Sequence, residues 1–179
     1  MFDKLIDLLV TFINDILPFK IVNQWEKGVH LRFGKFIRVV SPGLKWKLPF
    51  FDSILTTAVI TQSVNLRSQT VTSLDEKSVV LSSIVRYYIF DVEKFLLGVM
   101  HANDVLVDTT QGVIRDIVEE TTWENLVGLT ELVTPAVNNQ VEKWGIKVEL
   151  VSFPDLGQII TYRIISDTKE IPILTQNPQ

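Results

Sequence analysis

The chain has 179 residues, 46% apolar and 21% charged, a balance that supports a globular core and excludes a disordered chain. It has no cysteine, so disulfides, thiolate metal sites and cysteine nucleophiles are excluded. The formal net charge of −4 leaves no global basic field for nucleic acid.

Residues 2–17 read FDKLIDLLVTFINDIL. At 100° per residue Asp3, Lys4, Asp7, Thr11, Asn14 and Asp15 share one side. Phe2, Leu5, Ile6, Leu9, Ile13, Ile16 and Leu17 share the other. The pattern predicts an amphipathic helix ended by Pro18. Such a helix reaches about 25 Å, short of a ~30 Å hydrocarbon core, and carries Asp7 within it. It also lacks the basic start and small-residue cleavage site of a signal peptide. Two readings fit: a terminal helix docked on its own core or a neighbour, and an anchor lying in the membrane interface.

From Phe19 to Leu66 the pattern is β. Ile21–Trp25 and Val29–Phe33 flank Glu26-Lys27-Gly28, which reads as a hairpin turn. Val29, Leu31 and Phe33 would share one face, with His30 and Arg32 on the other. Gly34-Lys35 breaks the run, and Phe36–Val40 follows as a strand. Pro42-Gly43 fits a type II turn. Leu44, Trp46 and Leu48 then alternate with Lys45 and Lys47, as expected of a half-buried strand, before Pro49-Phe50-Phe51. Between Lys27 and Lys47 cations gather with no acid among them. They form either a solvated strand face or a surface that meets phosphates or headgroups. A further extended stretch covers residues 55–66.

Leu74-Asp75-Glu76-Lys77 is a polar break between two lobes. Val79–Phe90 reads as a central strand. Asp91 is placed to cap a short helix at Val92–Val99. A longer helix spans Asp104–Glu120 on a stripe of Leu106, Val107, Val113, Ile114, Ile117 and Val118. Thr122 can cap the next turn. A helix over Leu129–Trp144 requires Pro135 to fall in its first turn, and Gly145 suits its C′ position. Ile146–Phe153 alternates as a strand, Pro154–Gly157 turns the chain, and Gln158–Ser166 has strand propensity.

In order, Glu26-Lys27-Gly28-Val29, Arg32-Phe33-Gly34-Lys35, Pro42-Gly43-Leu44, Trp46 and Leu48-Pro49-Phe50 resemble the opening of the stomatin/prohibitin/flotillin (SPFH, or Band 7) family. The likeness continues through Asp75–Val80, Tyr87–Asp91, Thr122–Leu126 and Trp144–Glu149, covering about residues 20–153. The resemblance implies an α+β domain: a β-rich first lobe at 19–74 and a strand-helix-helix-strand second lobe at 75–153. The helix at 1–18 precedes them and a short tail at 154–179 follows. It implies a membrane-associated homo-oligomeric scaffold, peripheral at a cytoplasmic face, that organises a membrane surface or membrane proteins, with no catalysis. The alternative is a regulatory adaptor for a membrane protease or another membrane protein. In the family the first lobe faces the bilayer. Phe50 and Phe51 are therefore candidate membrane contacts, with Lys45 and Lys47 among headgroups. The rival reading buries both rings in the first lobe's core. The tail shows none of the family's coiled-coil heptads, so assembly would use the lobes, the first helix or the tail, including pairing of 158–166 with a neighbour's sheet edge.

No cofactor, metal or catalytic motif is expected. His30 and His101 lack partners at metal-ligand spacing and read as surface or turn residues. Asp116, Glu119 and Glu120 read as a solvated helix face. Trp25, Trp46, Trp123 and Trp144 read as packing or interface anchors.

Overall fold

A computed structural model describes residues 17–160. The amphipathic pattern at 2–16, and the expected strand and tail beyond Ile160, lie outside the described residues. The first lobe runs β1 (Phe19–Val22), β2 (Glu26–Arg32), β3 (Lys35–Val40), β4 (Gly43–Trp46) and β5 (Asp52–Ala58). β2 lies between β3 and β5 in an antiparallel three-stranded sheet. β1 and β4 form a separate antiparallel ribbon. The ribbon and the sheet enclose a small core of Val22, Val40 and Ile54, and Lys20 Nζ reaches across to donate to Ile54 O.

The second lobe follows as β6 (Gln62–Asn65), β7 (Gln69–Thr72) and β8 (Ser78–Ile89), then α1 (Val92–Leu97) and α2 (Ala102–Glu119). A 3-10 turn at Trp123–Gly128 leads into α3 (Leu129–Val141), and β9 (Ile146–Gln158) closes it. β8 is central as expected, with β6 and β7 end to end on one side and β9 on the other. Alternate β8 residues Val79, Leu81, Val85, Tyr87 and Ile89 are buried. α2 lays Leu106, Val113, Ile114 and Val118 on the same core, and α3 adds Val133, Val137 and Val141 at four-residue spacing. Val29 of β2 belongs to this larger core, so the two lobes share a packed seam. Strands and helices thus segregate along the chain, an α+β architecture.

Several local expectations hold. The Asp91 side chain accepts from the Lys94 N–H at 3.2 Å and caps α1. Gly43 (φ 112°) and Gly145 (φ 77°) occupy the positive-φ positions that their turns require.

Others are corrected. Glu26-Lys27-Gly28 is no hairpin turn; it lies inside β2, and the chain turns earlier, at Asn23–Trp25. Gly28 is needed because a Cβ there would meet Leu55 O at 2.2 Å, a close approach between strands. The stretch at 55–66 divides at Val59–Thr61, where the chain passes from the first sheet to the second. β6 and β7 therefore pair with β8, ahead of the polar break near Leu74. Pro135 lies well inside α3 rather than in its first turn; the buried stripe on either side outweighs its missing N–H. Thr122 makes no side-chain cap: Asp75 Oδ1 accepts the Trp123 N–H at 3.1 Å instead. Pro154–Gly157 does not turn, because β9 continues along β8 past a bulge near Ser82.

Candidate functional site

The end of the first lobe carries three phenylalanines. β2 and β3 are joined by the two-residue turn Phe33-Gly34, with φ of 49° and 75°. Both central residues at positive φ is the hairpin geometry that matches strand twist. The turn between β4 and β5 brings Phe50 and Phe51 alongside. The Phe33 N–H donates to Phe51 O at 2.8 Å, and the two rings lie 5.0 Å apart. Phe33 is 71% and Phe50 79% exposed, and Phe51 is exposed too. Phe50 also takes a positive φ, 68°. A bulky residue in the left-handed region costs about 1–2 kcal/mol, which glycine or asparagine would avoid. Neither Phe33 nor Phe50 recovers that cost through burial. The alternation places Phe33 on one strand face with Val29 and Leu31. It was missed as a tip residue because the break falls at Phe33-Gly34, one residue before Gly34-Lys35; an X-Gly pair between two strands was the available signal.

Beneath the tip sits Asp52, its side chain 1% exposed. Arg32 grips it with two bonds, Nε to Oδ1 at 2.7 Å and Nη2 to Oδ2 at 3.0 Å. The Leu48 N–H donates to Oδ2 at 3.0 Å, and His30 Nε2 lies 2.9 Å from the same oxygen. The Arg32 guanidinium above all, opposed by burial and helped by the Leu48 amide, holds the carboxyl well below the usual carboxylate range. Arg32 is raised in return. His30 is thus a buried residue, 3% exposed, and not the surface residue expected. It shares a sheet face with Ile54 and Arg38, its cross-strand partners, under the ribbon. The cluster ties β2, β5 and the Leu48 turn together, fixing the platform on which the tip stands.

The β1–β4 ribbon reverses the expected facing. Leu44 and Trp46 point outward, Trp46 69% exposed, while Lys45 and Lys47 are half-buried. Phe19 lies opposite Trp46 and Ile21 opposite Leu44, so the outer face is an apolar row. Lys45 lies opposite Lys20 on the inner side. Lys47 lines a cleft of about 410 Å³ with Arg38, Trp46, Leu48 and Pro49. Leu17, expected on the apolar side of the first helix, lines a second cleft of about 570 Å³ with Phe19, Ile21 and Ile54.

Elsewhere the chemistry is sparse. Among the described residues no three His, Asp or Glu side chains converge on a metal position. No helix among them is long and apolar enough to cross a membrane. His101 is exposed at the start of α2 with φ 54°. Asp116, Glu119 and Glu120 are exposed, and Glu119 pairs with Arg115 at 2.8 Å. Trp25 and Trp46 are exposed; Trp123 and Trp144 are half-buried against the second core.

A shared-seam, two-lobed α+β chain with an apolar loop tip is the class this geometry defines. The family model described as SPFH domain / Band 7 family matches residues 20–161, and the chain belongs to that family. It is 29% identical over 159 residues to Protein HflK of Haemophilus influenzae, covering 84% of this chain and 38% of the relative. It is 27% identical over 155 residues to Stomatin-1 of Caenorhabditis elegans, covering 83% and 47%. It is 30% identical over 109 residues to a protein of Escherichia coli named Modulator of FtsH protease HflK, covering 61% and 26%. The chain thus spans less than half the length of each of these relatives.

Proposed function

We propose that this protein is a non-catalytic, membrane-associated homo-oligomeric scaffold, peripheral at a cytoplasmic face, whose first-lobe tip touches the bilayer. The observation that carries the reading is the cluster of Phe33, Phe50 and Phe51, exposed together at one end of the lobe, with backbone strain at two of them. Strain kept where glycine would serve is understandable if the rings meet an apolar phase. Each ring buried there gains roughly 1.5–3 kcal/mol. The exposed apolar row of the ribbon, Phe19, Ile21, Leu44 and Trp46, precedes the tip in the chain and would add apolar area to the contact. Kinship to a stomatin supports the membrane setting. The amphipathic pattern at 2–17 would add a second weak anchor to the first.

Electron microscopy of detergent-free protein with and without liposomes tests attachment and stoichiometry together. Particles that stay off the vesicles, or single copies in every condition, would overturn the scaffold. A second reading, an adaptor for a membrane protease, is favoured by the relative named as a modulator of a protease. Mass photometry separates the two: a scaffold is a large homo-oligomer alone, whereas an adaptor is a small species that grows only with its partner.

A further inference from the structure

The charge of the described residues is divided between the lobes. Residues 17–61 carry seven lysines and arginines against two carboxylates, a formal +5. Residues 62–160 carry seven against fourteen, a formal −7. The two first-lobe carboxylates are placed so that neither offsets the cations near the tip. Asp52 is buried and neutralised by Arg32. Glu26 is at the far end of β2, six residues from Arg32. At about 3.3 Å per strand residue that is ~20 Å away, more than two screening lengths at physiological salt. Lys35 follows the Phe33-Gly34 turn directly and is exposed. Arg38 is exposed, opposite His30, and lines the cleft beside Trp46. It stands two strand residues behind Arg32, about 7 Å, which is the depth of a headgroup layer.

We propose that the first-lobe tip selects anionic phospholipid bilayers: the phenylalanines enter the acyl boundary, Lys35 and Arg38 meet lipid phosphates, and the acidic second lobe is repelled from the surface. This rests on the proposed membrane contact and names its lipid class. Apolar rings alone would enter any fluid bilayer; a tip with cations one headgroup depth behind it, and neither described first-lobe carboxylate free to offset them, discriminates by charge. The acidic second lobe sharpens the choice, because a molecule lying on that side meets like charge.

The test uses the full chain and two vesicle types, phosphatidylcholine alone and a three-to-one mixture of phosphatidylcholine and phosphatidylglycerol. Each cation near an anionic surface contributes about fivefold in partition, so the K35Q/R38Q variant should lose about 25-fold on the mixed vesicles. Its binding to phosphatidylcholine alone should not change. Both side chains are exposed, and an unaltered melting curve would show the fold intact. As a check that needs no variant, raising salt so that the screening length falls from about 10 Å to about 3 Å should erase the wild-type preference for mixed vesicles. Equal partition of the wild type onto both vesicle types at low salt overturns the charge selection and leaves the apolar contact standing. Absence of binding to either type overturns both.

Discussion

Phe50→Asn separates the cost of the tip from its use. Asparagine tolerates positive φ, so the change removes the ring and relaxes the backbone together. A Phe side chain buries about 150–250 Å² when fully enclosed. Because Phe50 is 79% exposed, only about a fifth of that area is covered within the chain, worth ~0.5 kcal/mol when full burial is worth about 1.5–3 kcal/mol. Relief of the left-handed backbone returns about 1–2 kcal/mol. Relief exceeds the loss, so urea unfolding should show the variant about 0.5–1.5 kcal/mol more stable than the parent. On a bilayer the account changes. The remaining area is what a membrane would cover, about 1.5–3 kcal/mol, so vesicle partition should fall about ten- to hundredfold. Unchanged partition in a folded variant would refute lipid contact by this ring. A loss of stability beyond about 2 kcal/mol would show that Phe50 packs within the lobe and that the strain serves the fold.

Gly28→Ala would drive a Cβ against Leu55 O and separate β2 from β5. A loss of about 2 kcal/mol in urea unfolding is expected, and a neutral result would mean that the strands can part without cost. Pro135→Ala restores a backbone N–H within α3 at an exposed position and should stabilise the chain by as much as ~3 kcal/mol, read as a higher denaturation midpoint. Asp52, chiefly through Arg32, and Asp75, chiefly through Lys77 and then Ser73, are both held below the ordinary carboxylate range in the folded chain. The unfolded state therefore takes up their protons first. Stability should be flat above about pH 5 and fall as the pH drops below about 4, and Asp52→Asn should flatten that fall.

Much of the second lobe was legible in the sequence because its elements carry their own periodicity. The β8 run, the α2 stripe, Asp91 at a cap and Gly145 at a left-handed terminus are each set by residues near in the chain. The first lobe was less legible. Its strands are short, and alternation shows that Leu44 and Trp46 share a face but not which face meets water. The same ambiguity left open whether Phe50 and Phe51 fill a core or stand outside it, whereas Phe33 was hidden because the turn falls one residue earlier than the Gly34-Lys35 break suggests.

The order of its motifs, from Glu26–Val29 to Trp144–Glu149, by itself carried the family resemblance and the α+β class that the resemblance implies, while periodicity marked the β8 run and the helix stripes. The tertiary structure alone decided that His30 is buried, that Arg32 neutralises Asp52 across 20 residues of sequence, and that three phenylalanines converge. The reason is physical. Local pattern sets which torsions and faces a segment prefers, whereas burial and charge pairing depend on which distant segment arrives opposite, and pairing between strands carries that information only once the chain has closed.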